Sequence, residues 1–260
     1  MKKAPPFSWL VYALLVAIAI VSLNNVGLLD ISRLARGVGN TLVFARDLVP
    51  PNPAVLPTVS RAMLETFQIA FVGTLLGFLL SLPLALLASR NLLSPLVTSP
   101  TKVVLGVVRT VPSLVWALLF VIALGLGPGA GALAIAFYTV GYLGKLYYET
   151  FEGVDKEVLE AVKSVGCNRV QLVRFALLPE AANSILSQLL FMFEYNVRAS
   201  AIIGFVGAGG IGFYMLGYIQ MLQYQNLLTT LLVTLAVVLL FDQFSALIRS
   251  RVLPKQTRTL

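Results

Sequence analysis

The chain has 260 residues, of which 58% are hydrophobic and only 12% are charged, with 19 Lys and Arg against 11 Asp and Glu. Soluble domains carry about 25% charged residues because their surface needs polar cover, so this composition excludes a soluble globular protein. Several apolar runs of about 20 residues are long enough to cross a bilayer, and they indicate an all-α integral membrane protein.

Histidine is absent, and Cys167 is the single cysteine. These counts exclude disulfides within the chain, Cys/His zinc clusters and any nucleophile that a histidine would activate. We therefore expect no metal site and no histidine-dependent catalysis.

About six membrane spans are predicted in chain order. The first covers about 9–29, and its apolar stretch exceeds the roughly 7–15 residues of a signal-peptide core. No Ala-x-Ala site follows it, so we expect an anchored helix rather than a cleaved signal. The other five spans are predicted at about 65–88, 103–124, 131–148, 181–203 and 226–248.

The segment 30–60 is mixed in composition and rich in proline. Apolar residues recur there at helical spacing, which predicts an interfacial helix followed by a loop. These residues are Ile31, Leu34, Val38, Leu42 and Ala45. The sequence thus divides into an N-terminal span with an interfacial or periplasmic segment (1–60), a membrane domain (61–253) and a short basic tail (254–260).

Lys and Arg are distributed unevenly between the two sides that these spans define. One side holds both termini and most of the cations, whereas the other holds only Arg33, Arg36, Arg46 and Arg61. Because cytoplasmic loops carry the excess of Lys and Arg, both termini and the tail are predicted to be cytoplasmic.

The longest polar stretch on the cytoplasmic side, 149–179, predicts two short helices. Asp155 can cap the first, and Gly166 can end it in a left-handed conformation. Asn168 can cap the second, which is expected to stop at Pro179. A unit this short between two spans cannot easily reach DNA, which disfavours a DNA-binding helix–turn–helix. The stretch is either a solvated loop or a docking element for a cytoplasmic partner.

A motif within this stretch resembles the EAA loop of ABC-importer permeases. It reads Glu160-Ala161-Val162-Lys163-Ser164-Val165-Gly166, then nine residues, then Ala176-Leu177-Leu178-Pro179. The spacing matches, although Val162 and Ala176 stand where the family has alanine and isoleucine. The resemblance implies a type I importer permease core, with helices that sit in a cleft of a separate ATPase subunit. The coupling residues that it implies are Asp155, Glu160, Ala161, Gly166, Leu178 and Pro179.

Four further stretches resemble phosphonate-type (PhnE) permeases, and the resemblance covers roughly 64–253. They lie at 109–116, 141–147, 193–200 and 206–212, and the third, Phe193-Glu194-Tyr195-Asn196-Val197-Arg198-Ala199-Ser200, is the most specific. The implied substrate is a phosphonate or a related oxyanion such as phosphate or phosphite. Sequence alone does not separate these three, because all present similar charged oxygens.

Glycines in the last of these stretches also fit the dinucleotide fingerprint G-x-G-x-x-G, at Gly207, Gly209 and Gly212. That fingerprint requires a preceding strand within a βαβ unit, and here a membrane span precedes it. With Gly210, these glycines instead predict a tight turn or a partly re-entrant segment at the outer face.

The pattern G-x-x-x-x-G-K-[ST] does not occur, so we expect no cofactor on this chain and expect ATP and Mg to be bound by a partner ATPase. The resemblance implies two ATPase subunits, a periplasmic or lipid-anchored substrate-binding protein, and a location in the bacterial cytoplasmic membrane. It also implies a second permease chain, which is either an identical copy or a paralogue. No nucleic acid is expected as a partner.

Arg198 lies well inside the fifth predicted span, where an arginine costs about 2.5–3.5 kcal/mol. Such a residue faces the bundle interior or water. One hypothesis places Arg198 in the translocation path together with Glu194 and Asn196, because a guanidinium suits phosphate-like oxygens. The alternative is a structural ion pair with Glu194, four residues earlier.

Two other functions are compatible with the sequence. A methionine-type permease shares the glycine stretch and would need no cationic path. An intramembrane enzyme would need convergent polar groups, for which the candidates are Glu194, Arg198 and Asp242.

Two patterns allow more than one structural interpretation. Gly73 and Gly77 form a G-x-x-x-G face, which suits close helix packing within the chain or between two chains. A group of tyrosines around the fourth span suits an interfacial belt or the lining of a path. Its members are Tyr138, Tyr142, Tyr147 and Tyr148.

Overall fold

The computed structural model describes residues 6–252, and these residues form helices joined by turns, with no strand among them. The predicted all-α class is therefore confirmed. Contacts divide the chain into two units, one up to Pro50 and one from Pro51 on. The tail 254–260 and the N-terminal lysines lie outside the described residues.

The first unit contains α1 (Pro6–Asn25) and α2 (Ile31–Leu48). Asp30 caps α2, since its Oδ1 accepts hydrogen bonds from the Ser32 hydroxyl at 2.7 Å and the Arg33 N–H at 2.9 Å. These hydrogen bonds hold the pKa of Asp30 below its usual value, and the bond from the Ser32 hydroxyl has the largest effect. The predicted helix is thus present, and its apolar residues are exposed. Its interfacial position stays a prediction.

The second unit begins with a short 3₁₀ turn, Pro53–Val55, and continues as a bundle of helices. They are α3 (Leu56–Ala88), α4 (Pro95–Thr110), α5 (Ser113–Leu124), α6 (Pro128–Glu152), α7 (Lys156–Ser164), α8 (Arg169–Leu172), α9 (Leu178–Ile203), α10 (Ile211–Gln220) and α11 (Tyr224–Val252).

Helices α3 and α6 form the centre of the bundle through the G-x-x-x-G face. A Cβ atom on Gly73 would lie 2.6 Å from the Ile135 Cβ, and one on Gly77 would lie 2.5 Å from the Thr139 Cβ. Both contacts advance by four residues together, so the two helices run in the same direction. The glycine face is therefore used for packing within the chain.

Helix α4 packs against α6 in the opposite sense. The backbone N of Arg109 lies 2.7 Å from where a Cβ on Gly141 would be. Leu105 Cδ2 lies at the same distance from where a Cβ on Gly144 would be. Farther along, Lys102 Nζ lies 2.8 Å from Glu152 Oε1. Later residues of α4 thus contact earlier residues of α6, so these two helices are antiparallel.

Three described helical stretches are long and apolar enough to cross a membrane, namely Pro53–Ala88, Arg169–Val206 and Tyr224–Leu247. The pair α4 and α5 makes a fourth if it counts as one span. The remaining predicted spans are also helices: Trp9–Asn25 is a shorter apolar helix, and α6 is a 25-residue helix that contains several glycines and Lys145.

The third predicted span, 103–124, is not continuous, which corrects the prediction. Helices α4 and α5 meet at 87°, with a break at Val111 and Pro112. Pro112 lacks an N–H and disfavours helical geometry at the residue before it, so α4 ends there. Trp116 Nε1 then donates to the Val108 carbonyl at 3.2 Å, which satisfies one carbonyl at the end of α4.

Candidate functional sites

The EAA loop (149–179) folds as two short helices joined by a left-handed turn. Gly166 has φ +79°, as predicted for the end of α7. Asn168 forms a capping box on α8: its Oδ1 accepts from the Gln171 N–H at 2.9 Å, and its own N–H donates to Gln171 Oε1 at 2.8 Å. Both local predictions are confirmed.

Two details of this loop differ from the prediction. Asp155 occupies the N-cap position of α7, but its side chain makes no capping hydrogen bond. Pro179 does not end the second helix, because a π-helical turn, Val173–Leu177, joins α8 to α9 without interruption. The N–H of Leu178 reaches back to the Val173 carbonyl, and Pro179 occupies the first turn of α9, where no N–H is needed.

One side of α7 is anchored in the bundle and the other is open. Leu159 is 4% exposed and packs in a core with Leu172 and Leu177. The six predicted coupling residues, Asp155, Glu160, Ala161, Gly166, Leu178 and Pro179, are all exposed. The loop therefore presents them on a surface that the described part of the chain leaves uncovered.

The glycine segment (207–212) lies at the opposite end of α9. Helix α9 has 26 residues and so separates the two ends by about 39 Å. Gly207, Gly209 and Gly210 adopt φ values of +84°, +80° and +75°, so the predicted tight turn is present. Helix α10 follows at once and has only ten residues, too few to cross a bilayer alone.

Two residues of α3 hold the glycine segment, and no motif in the sequence pointed to either. Glu65 Oε1 accepts a hydrogen bond from the Gly210 N–H at 2.9 Å. Thr66 Oγ1 accepts one from the Ile211 N–H at 2.7 Å. Both partners are 145 residues away in sequence, so only the folded chain brings them together. A cavity of about 230 Å³ opens beside them, lined in part by Glu65, Gly127 and Tyr214.

The ion pair offered as the alternative role of Arg198 is present. Arg198 Nη2 lies 2.9 Å from Glu194 Oε1, and Nη1 lies 3.2 Å from Asp242 Oδ1 on α11. The guanidinium therefore bridges two carboxylates, the second of which ties α9 to α11. The role of Arg198 in the translocation path stays a prediction.

Asn196 lies apart from this ion pair, on the packed side of α9. It is fully buried, and its Nδ2 donates to Thr74 Oγ1 and Thr139 Oγ1, both at 2.8 Å. These bonds join α9 to α3 and α6, so Asn196 links three helices in this structure. The structure does not bring it together with Arg198 as a path residue.

Comparisons with known proteins match most of the chain. Residues 81–254 match the family described as binding-protein-dependent transport system inner membrane component. The chain is 35% identical to the phosphite transport system permease protein PtxC of Stutzerimonas stutzeri, over 91% of this chain and 86% of that protein. It is 37% identical to the phosphate-import permease protein PhnE of Mycolicibacterium smegmatis, over 80% of this chain and 40% of that protein.

A solved structure shares the fold. The MetNI methionine ABC transporter, in inward-facing conformations, has a chain that aligns with a TM-score of 0.67. The alignment covers 78% of this chain and all of that chain at 22% identity. The likeness confirms the predicted importer-permease fold.

Proposed function

Because the chain belongs to the family of inner-membrane components of binding-protein-dependent transport systems, we propose that it imports a phosphorus oxyanion. It is a permease subunit of an ABC importer, and its relatives are transport permeases rather than intramembrane enzymes. The observation that carries the proposed substrate class is the 35% identity to a phosphite permease over 91% of the chain. Phosphite, phosphate and phosphonates are the candidate substrates.

Uptake by the complete transporter tests this proposal. The permease, its ATPase and its binding protein would be reconstituted in vesicles and supplied with labelled phosphite, phosphate, methylphosphonate or methionine. We expect ATP-dependent uptake of at least one oxyanion and none of methionine. Uptake of methionine alone would establish the methionine-type alternative, for which the solved relative at 22% identity supports only the fold.

The EAA loop is proposed as the docking site of the ATPase. Its exposed residues Asp155, Glu160 and Gly166 lie on or beside a helix that is anchored in the bundle by Leu159. A docking element needs this combination, because a free surface binds the partner while a buried anchor transmits its movement. ATP and Mg would be bound by that partner.

The assembly is proposed to contain two permease chains, two ATPase subunits and one periplasmic or lipid-anchored binding protein. One EAA loop per chain supports two identical permeases, one for each ATPase, although a paralogous permease would serve equally. Mass measurement of the purified complex in detergent distinguishes these assemblies.

The orientation is proposed to place the EAA loop and both termini in the cytoplasm and the glycine segment outside. The supporting observation is the excess of Lys and Arg on one side of the sequence. Cys167, the single cysteine, lies in the EAA loop. A membrane-impermeant thiol reagent should fail to label it in intact cells, and ready labelling would reverse the orientation.

A further inference from the structure

Two exposed polar side chains of α9 bear on the location of the translocation path, on the premise that the proposed function is correct. The side chain of Arg198 is 41% exposed in the single chain, and Tyr195, one turn earlier, is 37% exposed. Charged and hydroxyl-bearing side chains are costly in lipid, so within spans they face water or another subunit. These two side chains of α9 are therefore expected to face water or a second permease chain rather than the hydrocarbon.

Arg198 is poorly suited to attract an anion in this structure. Glu194 and Asp242 both contact its guanidinium, at 2.9 and 3.2 Å. Its positive charge is therefore already offset by two carboxylates, which weakens its attraction for an anion.

Arg109, unlike Arg198, has no carboxylate partner among the described residues. Within residues 6–252 it makes no salt bridge or side-chain hydrogen bond, and its Nε is buried without a partner. It lies in the last turn of α4, next to the break at Val111 and Pro112. Irregular backbone at membrane depth is tolerated where it is packed in protein or lines a water-filled cavity. Among the described residues, Arg109 is thus a cation without an ion-pair partner beside such a break.

Two tyrosines lie on the helices that pack beside Arg109. The backbone of Arg109 packs against Gly141, one turn along α6 from Tyr138. The Tyr138 hydroxyl lies 3.4 Å from that of Tyr195, and the two rings stack with centroids 5.8 Å apart. Helices α4, α6 and α9 thereby place Arg109 about one helical turn from Tyr138, whose hydroxyl donates to that of Tyr195.

We infer that Arg109, Tyr138 and Tyr195 form a contact site for the phosphorus oxyanion within the translocation path. A guanidinium fork donates two parallel hydrogen bonds to a tetrahedral oxyanion, and a phenol donates one more. Because no described carboxylate pairs with Arg109, its positive charge is available to the substrate. Two neutral hydroxyls add recognition without a further charge that would hold the substrate too firmly.

Arg109 also has a plainer explanation. A cation in the last turn of a helix interacts favourably with the helix dipole, and Arg109 is in that position on α4. On that explanation only the charge matters, so lysine would replace arginine fully and the tyrosine hydroxyls would play no part. The two explanations therefore differ in three variants.

The test uses the complete transporter in vesicles, with uptake of the oxyanion that the wild type transports and ATP hydrolysis measured together. The variants are Arg109→Gln, Arg109→Lys, Tyr138→Phe and Tyr195→Phe. The matched control is Tyr147→Phe, since Tyr147 is fully buried and its hydroxyl has no partner among the described residues. Removing that hydroxyl leaves the proposed site intact.

We expect at least a tenfold loss of uptake in Arg109→Gln and a threefold or greater loss in Arg109→Lys, Tyr138→Phe and Tyr195→Phe. ATP hydrolysis stimulated by the binding protein should persist, and Tyr147→Phe should transport like the wild type. Wild-type uptake by Arg109→Lys and by both Phe variants would overturn the inference, even if Arg109→Gln fails to assemble. If the wild type moved no oxyanion, the proposed function itself would fail.

Discussion

The two ends of the bundle contain glycines with nearly the same backbone geometry in opposite surroundings. At the glycine end, Gly209 has φ +80°, and a Cβ there would lie 2.6 Å from Glu65 Oε1. At the opposite end, in the EAA loop, Gly166 has φ +79°, and a Cβ there would have no described atom within 4 Å. The first turn is enclosed by its own chain, whereas the second is open.

This difference separates stability from coupling. Intrachain contacts already determine the shape of the glycine end, so changes there should act on folding. Among residues 6–252 the surface of the EAA loop has no partner, so changes there should act on uptake with a smaller effect on folding. Four variants, ordered by expected loss of stability, test that distinction.

Gly212→Ala should have the largest effect on stability. Its Cβ would collide with the backbone oxygen of Ala201, which cannot move aside as a side chain would. Overpacking costs about 1–3 kcal/mol, and a rigid obstacle places this case at the upper end of the range. We expect a lower melting temperature and little protein in the membrane. Gly217→Ala, in the same helix with nothing within 4 Å, is the control and should be no less stable.

Thr66→Val should be the next most destabilising. It removes the acceptor for the Ile211 N–H, which then stays buried without that bond at a cost of about 1–3 kcal/mol. Thermal unfolding in detergent measures the loss. Thr101→Val is the control, because its hydroxyl bonds only to a carbonyl of its own helix. Equal shifts in the two variants would show that the contact to the glycine segment contributes nothing.

Gly166→Val should cost about 1–2 kcal/mol, because a β-branched residue opposes a positive φ while no neighbour obstructs it. The protein should still reach the membrane, but ATP hydrolysis should no longer drive uptake. Gly166→Asn tests the cause, since asparagine tolerates this conformation and should restore coupling. If Asn and Val behave alike, backbone conformation is not what the site requires.

Glu160→Lys should change stability least, by about 0.5 kcal/mol or less, because Glu160 is exposed and has no hydrogen bond or ion pair among the described residues. We nevertheless expect uptake to fall at least tenfold through loss of contact with the ATPase. Transport at the wild-type rate by this variant would remove Glu160 from the docking surface.

Local signals in the sequence predicted the features that neighbours along the chain decide. The cap at Asn168 and the positive φ at Gly166 are such features, and both are confirmed. The predictions at two prolines are wrong: Pro112 breaks a span that was predicted to be continuous, and Pro179 does not end the helix that was predicted to stop there. The effect of a proline depends on whether the backbone before it adapts, as the π-helical turn does before Pro179.

Contacts between distant parts of the chain could not be predicted in this way. Asp242 joins Arg198 across 44 residues, and Glu65 meets the glycine segment across 145. Neither pairing leaves a periodic pattern or a short motif. Such partners depend on how the helices pack, and packing is the property that a single sequence specifies least directly.

The π-helical turn before Pro179 makes Arg169–Val206 a single helical stretch of 38 residues. At 1.5 Å per residue it is about 57 Å long, nearly twice the roughly 30 Å thickness of the hydrocarbon layer. This stretch runs as one helix from the EAA loop past Arg198. The π turn contains one extra residue, and conversion to α geometry there would turn everything beyond it by about 100°. The stretch is thus a continuous helix that contains one turn at which the rotation of the following residues can change.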